Sequence, residues 1–352
     1  MSVSVSIRKR LSKQFFLEAE FETRSGCLGI LGASGSGKSM TLKCIAGIET
    51  PDEGYIAVNG RTLFDAKKKI NLRPQERKVG YLFQHYALFP KMTVLENITA
   101  PLRLSSREKR EKGLFWTERF GLTGLEDRYP AQLSGGQQQR AALARMLIVE
   151  PEIILLDEPF SALDTNLREL MQIQLLELLE SRDDVLLVTH SRDEAYRLCG
   201  ELLVMDNGRV LNKGETKTLF RNPETVQTAR ITGCKNISPV KALSVQELYA
   251  LDWGLTLRLS APAVSGLTHV GIRAHDFRSG SDAVFGFNRI RPRIIRRWEE
   301  PFERCFIFVN ADARSSSEEG EIWWKYSNYI LQDEPETLFI PSESLLPLRD
   351  IL

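Results

Sequence analysis

The chain has 352 residues, of which 42% are hydrophobic and 26% charged, and its formal net charge is +1. That length suggests two or three domains, and the balance is that of a globular protein with no overall charge bias toward nucleic acid or an acidic partner. No secretory h-region occurs in "MSVSVSIRKRL", no apolar run nears the roughly 20 residues that span a bilayer, and Cys27, Cys44, Cys199, Cys234 and Cys305 form no C-x-x-C pair, which predicts a cytoplasmic protein with reduced thiols and neither a metal site nor a disulfide framework.

The first predicted strand is "FFLEAEFET", with Phe15, Leu17, Ala19 and Phe21 on one face at period two. "CLGIL" then feeds the loop "LGASGSGKSM" and a helix beginning near Lys38. "GYIAVNGRTLF" reads as two strands around an Asn59-Gly60 turn. "KVGYLF", "IILLDEP" and "DVLLVTH" are short apolar runs suited to buried strands of a mostly parallel sheet. "TVLENITAPLRL" and "SSREKREKGLFWTERFGL" are helical and charged, and predict a separate helical lobe over about 86–135. "TNLRELMQIQLLELLESRDD" carries apolar residues at helical spacing. Beyond residue 235, "LTLRLSAP", "THVGIRAH", "RCFIFVNA" and "GEIWWKYSNYIL" are short strands between Pro, Gly, Ser and acidic clusters, the pattern of a small all-β unit of barrel type. The expected division is 1–234 and 235–352.

The glycine loop fits G-x-x-x-x-G-K-[ST], with Gly32, Gly37, Lys38 and Ser39 in the fixed places. Small residues let successive backbone N–H groups face one phosphate, and the helix beginning near Lys38 adds its positive pole. Gly32, Ala33, Ser34, Gly35, Ser36, Gly37, Lys38, Ser39 and Met40 are therefore the expected triphosphate cradle. Lys38 would reach the β- and γ-phosphates, and the Ser39 hydroxyl would bind Mg²⁺. In "IILLDEPFSALD", Asp157 ends an apolar run, where α/β sheets present ligands, and could hold Mg²⁺. Glu158 follows and could polarise the attacking water.

"LSGGQQQR", residues 133–140, resembles the signature of ABC-transporter ATPases. Gln84 in "YLFQHYALFP" resembles that family's Q-loop, Asp164 in "SALD" its D-loop, and His190 after "LLVT" its switch histidine. The resemblance covers residues 1 to about 230 in the family's order. It implies an α/β P-loop NTPase of ABC-cassette type, with ATP and Mg²⁺ as cofactors and Ser39, Gln84 and Asp157 around the metal. Glu158, His190 and Gln84 would act in hydrolysis. Ser134, Gly135 and Gly136 open a helix and so offer N–H groups to a phosphate. By resemblance, that phosphate is held by a second copy, so that Ser134, Gly135, Gly136, Gln137 and Asp164 complete a site across a homodimer. Gln139 and Arg140 are expected to support the signature helix. Many relatives stack a tyrosine on the adenine ring; "IRKRLSKQFF" has none, Phe15 is expected in the core, and Phe16 is the remaining candidate.

The resemblance also implies a subunit on the cytoplasmic face of the membrane, working with integral permease subunits and indirectly with a substrate-binding protein. "YALFPKMTVLENI" is most similar to importer ATPases, several of which carry an OB-like tail of TOBE or Mop type. "ITGCKNISPV" and "VGIRAHDF" resemble the molybdate branch, so molybdate is the expected cargo, with sulfate, ferric iron and polyamine as alternatives. The arginines of "RIRPRIIRRW" could bind nucleic acid, but Arg289, Arg291 and Arg293 alternate as one solvated strand face would, and Glu299 and Glu300 follow. No nucleic-acid partner is expected.

Overall fold

The alternation of "FFLEAEFET" becomes a strand that buries Leu17, Ala19 and Phe21, and the strand before it, Val3–Arg10, alternates in the same way over Val3, Val5 and Ile7. A computed structural model describes residues 2–23, 26–161, 163–180, 184–263, 265–279, 287–313, 320–328 and 335–350, and its chain divides into units of residues 1–216 and 217–352. Ala162, the 181–183 end of the long amphipathic segment and the 329–331 end of "GEIWWKYSNYIL" lie outside the described residues.

The first unit begins with β1 (Val3–Arg10), β2 (Phe16–Thr23), β3 (Cys27–Gly32) and α1 (Lys38–Ala46). It continues through β4 (Glu53–Val58), β5 (Arg61–Asp65), β6 (Ile70–Asn71), β7 (Val79–Leu82), α2 (Val94–Thr99), α3 (Ser106–Arg119), α4 (Gly135–Leu147) and β8 (Ile153–Asp157). It closes with α5 (Thr165–Glu180), β9 (Val185–Thr189), α6 (Arg192–Leu198), β10 (Glu201–Asp206) and β11 (Arg209–Glu215). One sheet runs β6-β5-β4-β1-β2-β11-β10-β3-β9-β8-β7. The run from β10 through β3, β9 and β8 to β7 is parallel, whereas β2, β1, β4, β5 and β6 pair antiparallel. Every residue of β3, β8 and β9 is buried, which is why their sequences are continuous apolar runs without alternation. Asn59 and Gly60 both take positive φ, as the tight turn between β4 and β5 requires.

The helical lobe is punctuated by Thr93–Glu96, Ser105–Glu108 and Ser134–Gln137 capping boxes, each a reciprocal pair that satisfies orphan N–H groups. Val94, Ile98, Leu122, Leu133, Ala141, Ala144 and Ile148 share one core, so α4 packs with the lobe and the lobe continues past 135.

The second unit holds all of α7 (Thr216–Arg221) but its first residue, then α8 (Val226–Ile231), β12 (Asn236–Ala242), β13 (Glu247–Ala250), β14 (Leu255–Arg258), β15 (His269–Ile272), β16 (Arg278–Ser279) and β17 (Arg289–Ile290). It ends with β18 (Pro292–Glu299), β19 (Glu303–Asn310), β20 (Ile322–Ser327), β21 (Leu338–Phe339) and β22 (Leu346–Leu348). Three sheets, β14-β13-β12-β15-β22, β16-β21-β17 and β18-β19-β20, surround a core that includes Trp253, Phe308 and Trp324. The division falls ahead of the change in texture at 234/235 because the helices before it pack into the β unit. Val226 and Ala229 of α8 share a cluster with Leu346 and Leu348, and Arg273 donates to the Thr232 carbonyl at 2.8 Å. Among the described residues, no helix is long and apolar enough to cross a membrane.

Candidate nucleotide-binding site

The glycine loop links β3 to α1, and its small residues are a steric demand of the fold. A Cβ on Gly32 would lie 2.2 Å from the Met205 carbonyl oxygen of β10. Gly37, the residue before α1, has φ +101, and a Cβ there would meet Leu17 at 2.8 Å. Gly208 in the β10–β11 turn closes the cradle, since its N–H donates to the Ser36 carbonyl at 3.1 Å. Ala33, Ser34 and Gly35 are exposed, whereas the Ser36 hydroxyl is buried with no hydrogen-bond partner. An orphaned buried hydroxyl in a loop with a helix N-terminus behind it suits a bound phosphate oxygen. Met40 turns its side chain into the core, leaving its backbone in the first turn of α1.

Lys38 is 4% exposed, and its ammonium donates to the Gly32 and Ala33 carbonyls at 2.9 and 2.8 Å. Burial lowers its pKa, while the negative charges of Glu158 and Asp157 oppose that shift. This is a buried cation with carboxylates nearby and backbone carbonyls as its direct partners.

Parallel pairing brings the end of β8 to the loop. Ser39 Oγ donates to Asp157 Oδ1 at 2.7 Å, and Tyr81 Oη of β7 donates to Asp157 Oδ2 at 2.7 Å. Burial raises the Tyr81 pKa, and the adjacent Asp157 charge raises it further, so the phenol stays a donor. Glu158 has φ +47, a conformation costing a non-glycine residue about 1 kcal/mol or more. Its N–H donates to the Val188 carbonyl at 3.0 Å, and its Oε2 lies 3.3 Å from His190 Nδ1 at the end of β9. Thr189 Oγ1 donates to Glu194 Oε2 at 2.5 Å, tying the residue before His190 to the first turn of α6. Burial is the main cause of an upward shift of the Glu194 pKa.

Lys38, Ser39, Asp157, Glu158 and His190 thus converge. Gln84 lies beyond the end of β7 and is exposed, and its side chain makes none of these hydrogen bonds. Ser134 and Gln137 are engaged with each other in the cap of α4: Ser134 N–H donates to Gln137 Oε1 at 2.9 Å and Gln137 N–H to Ser134 Oγ at 3.3 Å. Gly135 is exposed, and a Cβ on Gly136 would lie 2.8 Å from Leu167 of α5, so glycine there permits close packing. Asp164 Oδ1 accepts from the Leu167 N–H at 3.0 Å and so starts α5. Gln139 is buried at 1% exposure, and the Arg140 guanidinium lies beside Gly121.

Phe15 packs against the core, whereas Phe16 is 45% exposed. The Phe16 carbonyl oxygen would lie 2.1 Å from a Cβ on Gly208, so Phe16 borders the loop through that turn. Sequence reasoning missed Tyr81, which reaches Asp157 from the adjacent strand, and Thr189 and Glu194, which pair across the short β9–α6 connection; none of the three carries a motif. It also missed Arg77, which is 0% exposed and donates to the Cys44 and Ile45 carbonyls at 2.8 Å, capping the far end of α1.

A glycine loop between a parallel strand and a helix, with a serine bonded to a strand-end aspartate, defines a P-loop nucleoside triphosphatase. Residues 20–161 match the ABC transporter family. The chain is 38% identical over 269 residues to an Fe(3+) ions import ATP-binding protein of Brucella abortus, covering 74% of each. It is 41% identical over 240 residues to a sulfate/thiosulfate import ATP-binding protein of Synechococcus elongatus, covering 65% of this chain and 68% of that protein. A dimeric ATP-binding cassette in a post-hydrolysis state with ADP and Pi superposes with TM-score 0.52 and 28% identity, covering 61% of this chain and 99% of that one. The chain belongs to the ABC transporter family as an ATP-hydrolysing, ATP-binding subunit that uses ATP with Mg²⁺.

Proposed function

We propose that this chain is the ATPase of an ABC importer for an inorganic ion, working as two copies beneath integral permease subunits on the cytoplasmic face of the membrane. The observation that carries the reading is the convergence of the loop with the β8 end, where Ser39 meets Asp157 at 2.7 Å and Glu158 lies 3.3 Å from His190. The Gly32–Met40 segment binds the triphosphate, Lys38 neutralises it, and Ser39, Asp157 and Gln84 are the residues that would hold Mg²⁺. The metal, when bound, offsets charge on the phosphate oxygens. Glu158 orients and polarises the water, and His190, within reach of Glu158, holds the γ-phosphate side of that arrangement. Ser134, Gly135, Gly136, Gln137 and Asp164 face a second copy, whose exposed helix start supplies N–H groups to the phosphate. The dimeric cassette with ADP and Pi supports this pairing.

The all-β second unit acts as an OB-like tail of TOBE or Mop type, a reading supported by its three small sheets around one core. Iron(III) and sulfate or thiosulfate, named for the relatives, are favoured cargoes over the molybdate expected from the sequence. A substrate-binding protein would deliver the ion, and nucleic acid has no part in the cycle.

Two variants test the chemistry. Glu158→Gln is expected to bind ATP normally, slow turnover by orders of magnitude and sediment as an ATP-dependent dimer; Lys38→Ala is expected to lose ATP affinity itself. Normal hydrolysis by Glu158→Gln, or a monomer with saturating ATP, overturns the assignment. Uptake of Fe(3+), sulfate and molybdate into vesicles carrying the complete transporter then identifies the cargo.

A further inference from the structure

Cys27 opens β3 and Cys199 follows the last residue of α6, 172 positions later, yet their sulfurs lie 3.5 Å apart. Both residues belong to the first unit, and all five cysteines of the chain are free and buried. The two thiols are in contact, with about 1.5 Å between that separation and the length of a disulfide bond.

Neither sulfur is fixed in the middle of an element. Cys27 is the first residue of its strand, and Cys199 has already left helical geometry, with φ −113 and ψ 127. Gly29, two residues further along β3, makes the room, since a Cβ there would lie 2.8 Å from Cys199 Sγ. Gly26 and Gly200 flank the pair in sequence. Among the described residues, nothing beyond their chain neighbours lies within 4 Å of where either would carry a Cβ. The backbone has space to shift at both cysteines, and a reagent as small as a hydroperoxide has a way in.

The chemistry depends on there being two sulfurs. A solitary thiol that meets a peroxide passes through sulfenic to sulfinic acid, whereas a sulfenic acid beside a second thiol condenses to a disulfide. Cys27 is the more exposed of the two, at 9% against 5%. The contact with Cys27, together with burial, holds the Cys199 pKa well above the ordinary thiol value, so Cys199 stays protonated as the resolving partner.

We propose that Cys27 and Cys199 are a reversible dithiol–disulfide site, closed by hydroperoxides and reopened by small thiols, that staples α6 to β3. With hydrogen peroxide, the Cys27 sulfur attacks one oxygen; an S–O bond forms as the O–O bond breaks, and the first water leaves. The Cys199 sulfur then attacks the Cys27 sulfur; the S–S bond forms as the S–O bond breaks, and the Cys199 proton departs with the hydroxide as a second water. The thiols together lose two electrons and one peroxide is reduced to two waters. The glycine loop follows the other end of β3, at Gly32, so the bond ties down the frame of the nucleotide site without entering it.

The test treats the full-length protein with hydrogen peroxide, blocks remaining thiols with iodoacetamide after unfolding, and maps peptides by mass spectrometry without reduction. The expected result is a Cys27–Cys199 link within one chain, removed by dithiothreitol, while Cys44, Cys234 and Cys305 are alkylated. Because the link closes a loop of 172 positions, it restricts the unfolded chain strongly, and the melting temperature should rise by about 5 °C or more on oxidation. Cys27→Ser and Cys199→Ser should each lose that rise, and in Cys199→Ser the unresolved Cys27 should go on to sulfinic acid. Should either substitution disturb the packing, the peptide map of the unmodified chain still decides. No linked peptide in excess peroxide, sulfinic acid at Cys27 in its place, a link only between chains or to another cysteine, or a linked chain that melts no higher overturns the proposal.

Discussion

Replacing Tyr81 with phenylalanine removes one hydrogen bond from Asp157, the carboxylate we propose for Mg²⁺, and leaves the ring in place. Asp157 is 6% exposed, and separate donors hold its two oxygens, Ser39 Oγ on Oδ1 and Tyr81 Oη on Oδ2, each at 2.7 Å. The ring packs beside Phe83 with centroids 4.5 Å apart, a contact that phenylalanine retains. A hydrogen bond to a charged group contributes about 1.5–3 kcal/mol, and water reaching the half-buried Tyr81 position would recover part of it. A net loss near 1 kcal/mol in holding the carboxylate corresponds to about fivefold in an equilibrium constant. In Tyr81→Phe, the Mg²⁺ concentration giving half-maximal hydrolysis should therefore rise about fivefold. Mn²⁺ bound with ATP, read by electron paramagnetic resonance, should show the same weakening without relying on turnover. ATP affinity in EDTA should stay within about twofold of the unmodified value, because the glycine loop is untouched. An unchanged metal response would refute the inference that the phenol positions Asp157, and an equal loss of metal-free ATP binding would place the effect in the fold instead.

Glu194 and Arg77 give two further expectations. The buried Glu194 carboxyl has a pKa above its ordinary value of 4.5, so the native state holds its proton more tightly than the unfolded chain does. That contribution to stability is complete below about 4.5 and is lost as pH rises through the raised native value. Glu194→Gln keeps an acceptor for Thr189 and should flatten the fall of the melting temperature above pH 4.5; equal slopes would count against a titrating Glu194. Arg77→Met strips donors from the Leu72, Cys44 and Ile45 carbonyls and from Asn71 Oδ1, all at 2.8–2.9 Å, and should cost about 3 kcal/mol or more. Denaturant unfolding checks this, and Arg77→Lys should restore part of the loss.

The parts of the site that are contiguous in the chain were legible in the sequence. The glycine loop, the Asp157-Glu158 pair and His190 each occupy one short segment at the end of an apolar run, and the period of that run identifies the strand. The same holds for the cap of α4, where Ser134 and Gln137 stand at the spacing of a capping box. Boundaries were harder to read: α7 and α8 look like the tail end of the first unit, and only packing against Leu346 and Leu348 assigns α8 to the second.

Contacts across strands had no local signal. Nothing in "KVGYLF" indicates that Tyr81 reaches Asp157, because their proximity depends on β7 pairing in parallel with β8, with Tyr81 opposite Leu155. Nor does the loop itself reveal that Gly32 is required by the Met205 carbonyl, which arrives from β10. The sequence by itself determined where the glycine loop, the strand-end acidic pair and the start of α4 lie and which side chains carry charge, since those properties depend on residue type and spacing along one strand or turn. Tertiary structure alone decided which donors hold Asp157, what buries Lys38 and Arg77, and that Cys27 meets Cys199, since strand order, register and helix packing set those distances.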